Sequence, residues 1–121
     1  MASVLIAEDD RLIAFVMIEV LERAGHSVQH ADDGAQAIAI LQKPEHAIDI
    51  VVIDLVMPGV DGAHLLAYCR AQYAQLPIIM TSGYTEEFVQ TRLRGLRPDA
   101  FLSKPWRVEL LIETVDRLLA P

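Results

Sequence analysis

The sequence predicts an α/β fold in which helices cover both faces of a parallel, five-stranded sheet. Two observations predict it: short apolar runs alternate with helical patterns along the whole chain, and the alternation gives five β-α units in 121 residues. Such alternation is typical of parallel sheets with crossover helices. Because these crossovers are right-handed, we expect a flavodoxin-like, doubly wound sheet of strand order 2-1-3-4-5 with five helices.

The predicted strands are short and rich in large apolar residues. The third and fourth are continuous apolar runs, which are typical of strands buried on both faces of a sheet. In chain order, the predicted strands are Ser3–Ala7, Ser27–Ala31, Asp49–Ile53, Pro77–Thr81 and Ala100–Ser103.

A helical pattern follows each predicted strand and has a recognisable end. The first pattern stops at Gly25, since glycine readily adopts the left-handed conformation that terminates a helix. The second ends before Pro44, which cannot continue a helix. The predicted helices are Asp10–Ala24, Gly34–Gln42, Gly62–Tyr73, Glu86–Arg94 and Arg107–Leu119.

Composition and charge limit the class of protein. With 53% hydrophobic and 22% charged residues, residues 1–121 should form one globular domain. The formal charge of −7 argues against nucleic acid as a partner, because a surface for nucleic acid needs clustered Lys and Arg. The single cysteine, Cys69, fits a reducing compartment. We see neither a signal peptide nor an apolar run near the roughly 20 residues that span a bilayer, so we expect a soluble, cytoplasmic protein without a membrane partner.

The informative polar residues follow the predicted strands. Glu8 and Asp9 follow the first strand, Asp54 the third, Ser82 the fourth and Lys104 the fifth. Ligands of open parallel sheets bind at the carboxyl ends of the strands. Because the expected order places strands one and three side by side, the three carboxylates should share one pocket, with the lysine and the serine at its rim.

Three carboxylates in one pocket need a counter-charge. A pair at about 4 Å costs about 4 kcal/mol at an effective dielectric of about 20, so either a cation is bound or the pKa values rise. Oxygen ligands without His or Cys favour a hard ion such as Mg²⁺. Together with a lysine and a hydroxyl, such a pocket suits phosphoryl transfer, with one carboxylate as the acceptor.

Four segments resemble the signature segments of the receiver domains of response regulators in two-component signalling. They are Val4–Asp10, Asp54–Gly62, Met80–Gly83 and Ser103–Trp106. Their order and spacing are those of the family, and the resemblance, to single-domain regulators of the chemotaxis type, covers essentially the whole chain. The Asp-x-x-Met-Pro-x-x-Asp-Gly segment is the most specific of the four.

The resemblance implies a role for each polar residue of the pocket. Asp54 resembles the phosphoacceptor, and Ser82 and Lys104 the residues that contact oxygens of the phosphoryl group. Phe101 matches the aromatic switch position, where the ring turns inward as Ser82 moves toward the phosphoryl group. The Lys104–Pro105 bond resembles the cis peptide of the family.

The resemblance also implies a cofactor and partners. Mg²⁺ would be bound by Glu8, Asp9 and Asp54 together with the backbone carbonyl of Val56. The phosphodonor would be a histidine kinase or a histidine phosphotransfer protein, and the output an unidentified target. We expect a monomer or weak dimer that catalyses only its own phosphorylation and dephosphorylation, and is not otherwise an enzyme.

The first predicted helix carries more apolar residues than one buried stripe requires. The predicted core stripe consists of Ile13, Val16, Met17, Val20, Leu21 and Ala24. Ala14, Phe15 and Ile18 then lie toward a neighbouring face, where the resemblance places contact with the histidine phosphodonor. An exposed apolar patch with a polar rim suits a partner site. Alternatively, Phe15 covers the edge of its own sheet or is a single exposed apolar residue.

Other classes of protein fit less well. A haloacid-dehalogenase-like phosphatase requires a second acid two residues after its nucleophile, where Val56 stands, and usually a cap domain. A flavin-binding domain of the same fold would carry a Ser/Thr-rich phosphate loop after the first strand, where Glu8 and Asp9 stand. A degenerate receiver used only for docking would not need the acceptor pocket. The four histidines are predicted to lie on the surface: His26, His30, His46 and His64.

Overall fold

The computed structural model describes residues 2–121 and contains five strands and five helices in alternation. The strands are β1 (Ser3–Ala7), β2 (Ser27–Ala31), β3 (Ile50–Asp54), β4 (Ile78–Ser82) and β5 (Ala100–Ser103). The helices are α1 (Arg11–Arg23), α2 (Gly34–Gln42), α3 (Gly62–Gln72), α4 (Glu86–Leu93) and α5 (Val108–Leu119). Within residues 2–121, no helix is both long enough and apolar enough to cross a membrane.

The sheet has the predicted topology. All four strand pairings are parallel and the strand order is β2-β1-β3-β4-β5, so the predicted fold is confirmed. Both β3 and β4 lie one residue later than predicted, and Asp54 and Ser82 are therefore the last residues of their strands. The reason is that both polar residues still take part in the strand pairing, Asp54 opposite Thr81 and Ser82 opposite Ser103.

The sheet separates two hydrophobic cores, because successive side chains of a strand point to opposite faces. In β3, Val51 and Ile53 belong to the core beneath α2, α3 and α4. Ile50 and Val52 belong to the core beneath α1 and α5. Every strand that ends near the Asp54 carboxylate is thus fixed by packing on both sides.

Aspartate side chains begin three of the helices. Asp10 Oδ1 accepts hydrogen bonds from the N–H groups of Leu12 and Ile13, at 3.0 and 3.2 Å. Asp33 and Asp61 cap α2 and α3 in the same way. Side-chain oxygens at this position satisfy N–H groups that have no partner within the helix. Asp10 is consequently a capping residue, although it is adjacent in sequence to the acidic pair.

Polar side chains also tie the amino ends of the strands together. The carboxylates of Asp49 and Asp99 accept hydrogen bonds from the N–H groups that begin β1 and β4, each at 2.8 Å. His26 accepts one from the N–H of Ala2 and contacts Asp116 at 3.1 Å. The prediction that His26 is a surface residue is wrong, because its imidazole joins two chain segments and is 8% exposed.

Gly62 begins α3 at a point where a side chain has no room. A Cβ atom there would lie 2.5 Å from the Asp54 carbonyl oxygen and 2.7 Å from Leu55 Cα. We expect Gly62→Ala to lower the free energy of unfolding by about 1–3 kcal/mol, as measured by urea denaturation. Gly83→Ala is the matched control, since an added Cβ would meet no described atom within 4 Å. Equal stability of the two variants would contradict this constraint.

Candidate functional site

The carboxyl ends of β1, β3 and β5 bring two buried carboxylates and one lysine into contact. Lys104 Nζ lies 3.1 Å from Glu8 Oε1 and 3.4 Å from Asp54 Oδ1. Glu8 follows β1 and Asp54 ends β3, which are neighbouring strands. Lys104 follows β5, two strands away from β3, and spans the gap with its long side chain. The lysine therefore neutralises part of the charge that the sheet order concentrates here.

A third carboxylate completes an acidic cluster at the surface. Asp9 is exposed, and one of its oxygens lies within 4.8 Å of oxygens of Glu8 and Asp54. When all are ionised, three carboxylates against one ammonium leave an excess of two negative charges. All donor atoms are oxygens, and Mg²⁺ binds through one or two carboxylates while keeping several waters. The cluster thus fits a divalent cation such as Mg²⁺.

Burial changes the proton affinity of the two inner carboxyl groups. Burial, a hydrogen bond with Asp54 and the charge of Asp54 raise the pKa of Glu8 to about 7. Burial also raises the pKa of Asp54, although contacts with Glu8 and Lys104 oppose the rise. For Lys104, burial opposes the charged form, but Asp54 and Glu8 outweigh it and raise the pKa. These raised pKa values favour binding of a proton or a cation in the cluster.

The loop after Asp54 is fixed by its backbone. Leu55 and Met57 are buried, whereas the Val56 side chain between them is exposed. The N–H of Gly62 donates to the Leu55 carbonyl at 2.8 Å. The N–H of Gly34 in α2 donates to the Val60 carbonyl at 3.2 Å. The peptide group of Val56, two residues beyond Asp54, therefore lies in an anchored segment beside the cluster.

Ser82 and Phe101 lie together on the face of the sheet that α4 covers. Ser82 ends β4 and is buried, and its Oγ accepts a hydrogen bond from the N–H of Tyr84 at 3.0 Å. Phe101 is opposite Met80 in the β4–β5 pairing, is half-buried and packs against the α2, α3 and α4 core. The Lys104 N–H donates to the Ser82 carbonyl at 2.8 Å, and the Lys104–Pro105 bond is cis.

Two residues at the cluster escaped sequence analysis. His30 Nε2 lies 2.8 Å from the Glu8 carbonyl oxygen, and its side chain, predicted to lie on the surface, is partly buried at 23% exposure. The Thr81 hydroxyl is the one buried side-chain polar atom in residues 2–121 without a hydrogen-bond partner. For Thr81, the available indication was a polar residue in an otherwise apolar strand. For His30, the available indication was its position near the end of β2.

The predicted core stripe of α1 is confirmed for Met17 and Leu21 but is wrong for Val16 and Ala24, which are exposed. The buried residues of α1 are Ala14, Met17 and Leu21, so Ala14, at 1% exposure, cannot belong to an exposed patch. Val16, assigned to the core, is 38% exposed. The reason is that residues 12–18 are all apolar, and packing against the sheet selects the buried side.

Three large apolar side chains form an exposed surface on α1. Leu12, Phe15 and Val16 are 73%, 60% and 38% exposed; we call them the α1 surface. Ile18, by contrast, is partly buried and packs against the α1 and α5 core. A groove lined by Leu12, Ile13, Val16, Lys104, Pro105, Trp106 and Val108 continues the α1 surface to the acidic cluster.

Comparisons with known proteins agree on one family. A family model described as "Response regulator receiver domain" matches residues 4–116. The response regulator receiver protein CpdR of Brucella abortus is 30% identical over 119 residues, which cover 98% of this chain and 98% of that protein. The sensor kinase CckA of the same organism is 33% identical over 118 residues, which cover 98% of this chain and 12% of that protein.

Solved structures show the same likeness. The chemotaxis protein CheY4 of Vibrio cholerae superimposes with a TM-score of 0.87 at 30% identity, covering 98% of this chain and 99% of that chain. The chain spans half or less of the length of several other curated relatives that it matches.

The raised pKa of Glu8 predicts how stability depends on pH without metal. The folded protein holds this proton with a pKa of about 7, against an ordinary value of 4.5. The resulting stabilisation is fully present below pH 4.5 and is lost as the pH rises through about 7. We expect the metal-free protein to lose about 2 kcal/mol of unfolding free energy between about pH 5 and about pH 8.

Urea denaturation in the presence of EDTA measures this loss. Glu8→Gln should remove most of it, because glutamine has no proton to lose. Glu22→Gln, at an exposed position of α1, should retain it. A Glu8→Gln protein with the full pH dependence would show that other groups cause the loss.

Proposed function

The chain belongs to the response regulator receiver domain family, and we propose that it accepts a phosphoryl group on Asp54. The observation that carries the proposal is the buried Asp54 carboxylate, held 3.4 Å from Lys104 within a cluster of three carboxylates. A carboxylate at this position can act as nucleophile. An Asp54 oxygen forms a bond to phosphorus while the bond between phosphorus and the donor breaks.

Glu8, Asp9 and Asp54, with the backbone carbonyl of Val56, are the proposed ligands of Mg²⁺. Bound there, the ion would offset negative charge on the carboxylates and on the phosphoryl oxygens. The excess of two negative charges in the cluster supports a divalent ion. The exposure of Asp9, in contrast to the burial of Glu8 and Asp54, leaves one side of the cluster open to solvent.

Lys104 and Ser82 are the proposed donors to the phosphoryl oxygens. Lys104 is shared by Glu8 and Asp54, so a more highly charged phosphoryl group would draw its ammonium away from them. Ser82 Oγ accepts from the N–H of Tyr84, and no residue in 2–121 accepts the hydroxyl proton of Ser82. That proton is available to a phosphoryl oxygen.

Phe101 is the proposed switch residue. It lines a cavity between α4 and β5 together with Val89 and Leu93. A movement of Ser82 toward the phosphoryl group would open space on this face of the sheet, and the Phe101 ring would turn into it. The position of α4 would then depend on the phosphorylation state, and a downstream target would recognise the difference.

The α1 surface is the proposed docking site of a histidine kinase or a histidine phosphotransfer protein. Arg11, Glu19 and Arg23 are exposed on the same helix and form a polar rim. The groove from this surface to Lys104 would bring a donor histidine close to Asp54. Ala14 is excluded from the site by its burial, and Ile18 contributes mainly to the core.

Phosphorylation of Asp54 can be measured directly. Incubation with Mg²⁺ and acetyl phosphate should add one phosphoryl group to the wild-type chain, as detected by intact-mass spectrometry. Asp54→Asn should gain none, because an amide is a poor nucleophile. Asp116→Asn, at the opposite end of the strands, should behave as wild type. Modification of Asp54→Asn to the wild-type extent would refute the assignment.

Docking can be separated from chemistry by comparing two donors. Leu12→Glu and Phe15→Ala should slow transfer from a cognate histidine phosphotransfer protein about tenfold or more. Both variants should react with acetyl phosphate at nearly the wild-type rate, since this small donor contacts only the pocket. Leu110→Glu on α5 is the control, because it is also an exposed leucine. Equal slowing with both donors would assign the α1 surface to folding instead.

A further inference from the structure

Thr81 combines complete burial with an unsatisfied hydroxyl. Its relative exposure is 0%, and Oγ1 has no hydrogen-bond partner within the described chain. Leaving a buried polar group unpaired is unfavourable. Valine has nearly the same shape, is at least as well suited to a strand and has no polar atom. Folding alone therefore gives no reason for a hydroxyl at this position.

The register of the sheet places Thr81 beside the acceptor. Thr81 and Asp54 are direct partners in the parallel β3–β4 pairing, and neighbouring strands are about 4.8 Å apart. Val52 and Ile79 belong to the core beneath α1 and α5. Since alternate residues of a strand share a face, Asp54 and Thr81 both point to that face. The Thr81 side chain is thus a lateral neighbour of the Asp54 side chain.

The same face carries the other charged groups of the cluster. Ile6 and Leu102 belong to the α1 and α5 core, and Glu8 and Lys104 follow them by two residues. Met80 belongs to the opposite core, so Ser82 points to the other face. Thr81 is consequently the β4 hydroxyl on the acceptor's own side of the sheet.

Phosphoryl transfer would remove the ammonium group that now pairs with Asp54. Lys104 contacts the carboxylate at 3.4 Å and is shared with Glu8. When Lys104 turns to the incoming phosphoryl group, the Asp54 carboxyl group loses this contact at the moment when its orientation matters most. A misplacement of about 1 Å can cost about a hundredfold in rate, so a replacement contact would be valuable.

We infer that Thr81 is a positioning residue for the acceptor, whose hydroxyl donates a hydrogen bond to the Asp54 carboxyl group once Lys104 has moved away. A rotation about the Thr81 side-chain bond would redirect the hydroxyl, since threonine has more than one accessible rotamer. The proton remains on Oγ1 throughout. This inference rests on the proposed function of Asp54.

The test compares Thr81→Val and Thr81→Ser with the wild-type chain. Phosphorylation is followed by intact mass over a series of acetyl phosphate concentrations at saturating Mg²⁺. Thr81→Val should lower the maximal rate about tenfold and leave the half-saturating donor concentration within about twofold, because orientation is lost and donor binding is not. Thr81→Ser, which keeps the hydroxyl, should remain within about twofold of the wild-type maximal rate.

Two further measurements separate positioning from folding and from metal binding. Urea denaturation should show Thr81→Val to be at least as stable as wild type, since the unpaired hydroxyl is gone. Mg²⁺ titration without a donor, followed by the fluorescence of the single tryptophan, Trp106, should give unchanged half-saturation, because Lys104 still holds Asp54 in that state.

Several results would overturn the inference. A wild-type maximal rate for Thr81→Val would show that the hydroxyl is not used. Equal slowing of both variants would assign the effect to packing at this position, because Thr81→Ser keeps the hydroxyl. A loss of Mg²⁺ affinity in proportion to the rate would place Thr81 in the metal site instead. A wild-type chain that gains no phosphoryl group would overturn the proposed function itself, and this inference with it.

Discussion

One ammonium group between two buried carboxylates is the interaction on which this end of the molecule depends. Lys104 contacts both Glu8 and Asp54, which the parallel sheet brings together because β1 and β3 are neighbours. Without the lysine, two nearly inaccessible acids would face each other in a medium that screens charge poorly. Burial and the contact with Asp54 raise the pKa of Glu8 to about 7 despite the opposing charge of Lys104. The remaining negative charge favours binding of a cation to the cluster.

Backbone contacts that only glycine allows hold Asp54, the proposed acceptor, beside these charged groups. A Cβ atom at Gly62 would lie 2.5 Å from the Asp54 carbonyl oxygen, and one at Gly34 would lie 2.3 Å from the Val60 carbonyl oxygen. The first residues of α2 and α3 therefore touch the segment 54–60, Gly62 at its beginning and Gly34 at its end. Because these contacts involve main-chain atoms, they can fix the loop without occupying the space in front of the carboxylate.

The sequence predicted what depends on local pattern and topology, and missed what depends on packing. Strand order and the meeting of Glu8, Asp9, Asp54 and Lys104 follow from alternation and from the position of each residue at a strand end. The orientation of α1 does not, since seven consecutive apolar residues, 12–18, define no single face. Contact with the sheet selects Ala14 as buried and leaves Leu12 exposed. Nor does any pattern show that Thr81 lacks a hydrogen-bond partner.

The two hydroxyl residues at the end of β4 lie on opposite faces of the sheet and have different proposed functions. Thr81 lies on the face of Asp54 and Lys104, whereas Ser82, one residue later, lies on the face of Phe101. Successive residues of one strand share a backbone, so a backbone movement that carries Ser82 toward a phosphoryl group would also shift the peptide that carries Thr81. The Lys104 N–H is in turn bound to the Ser82 carbonyl at 2.8 Å. The end of β4 therefore couples the side of the sheet where the phosphoryl group would be received to the side on which α4 would respond.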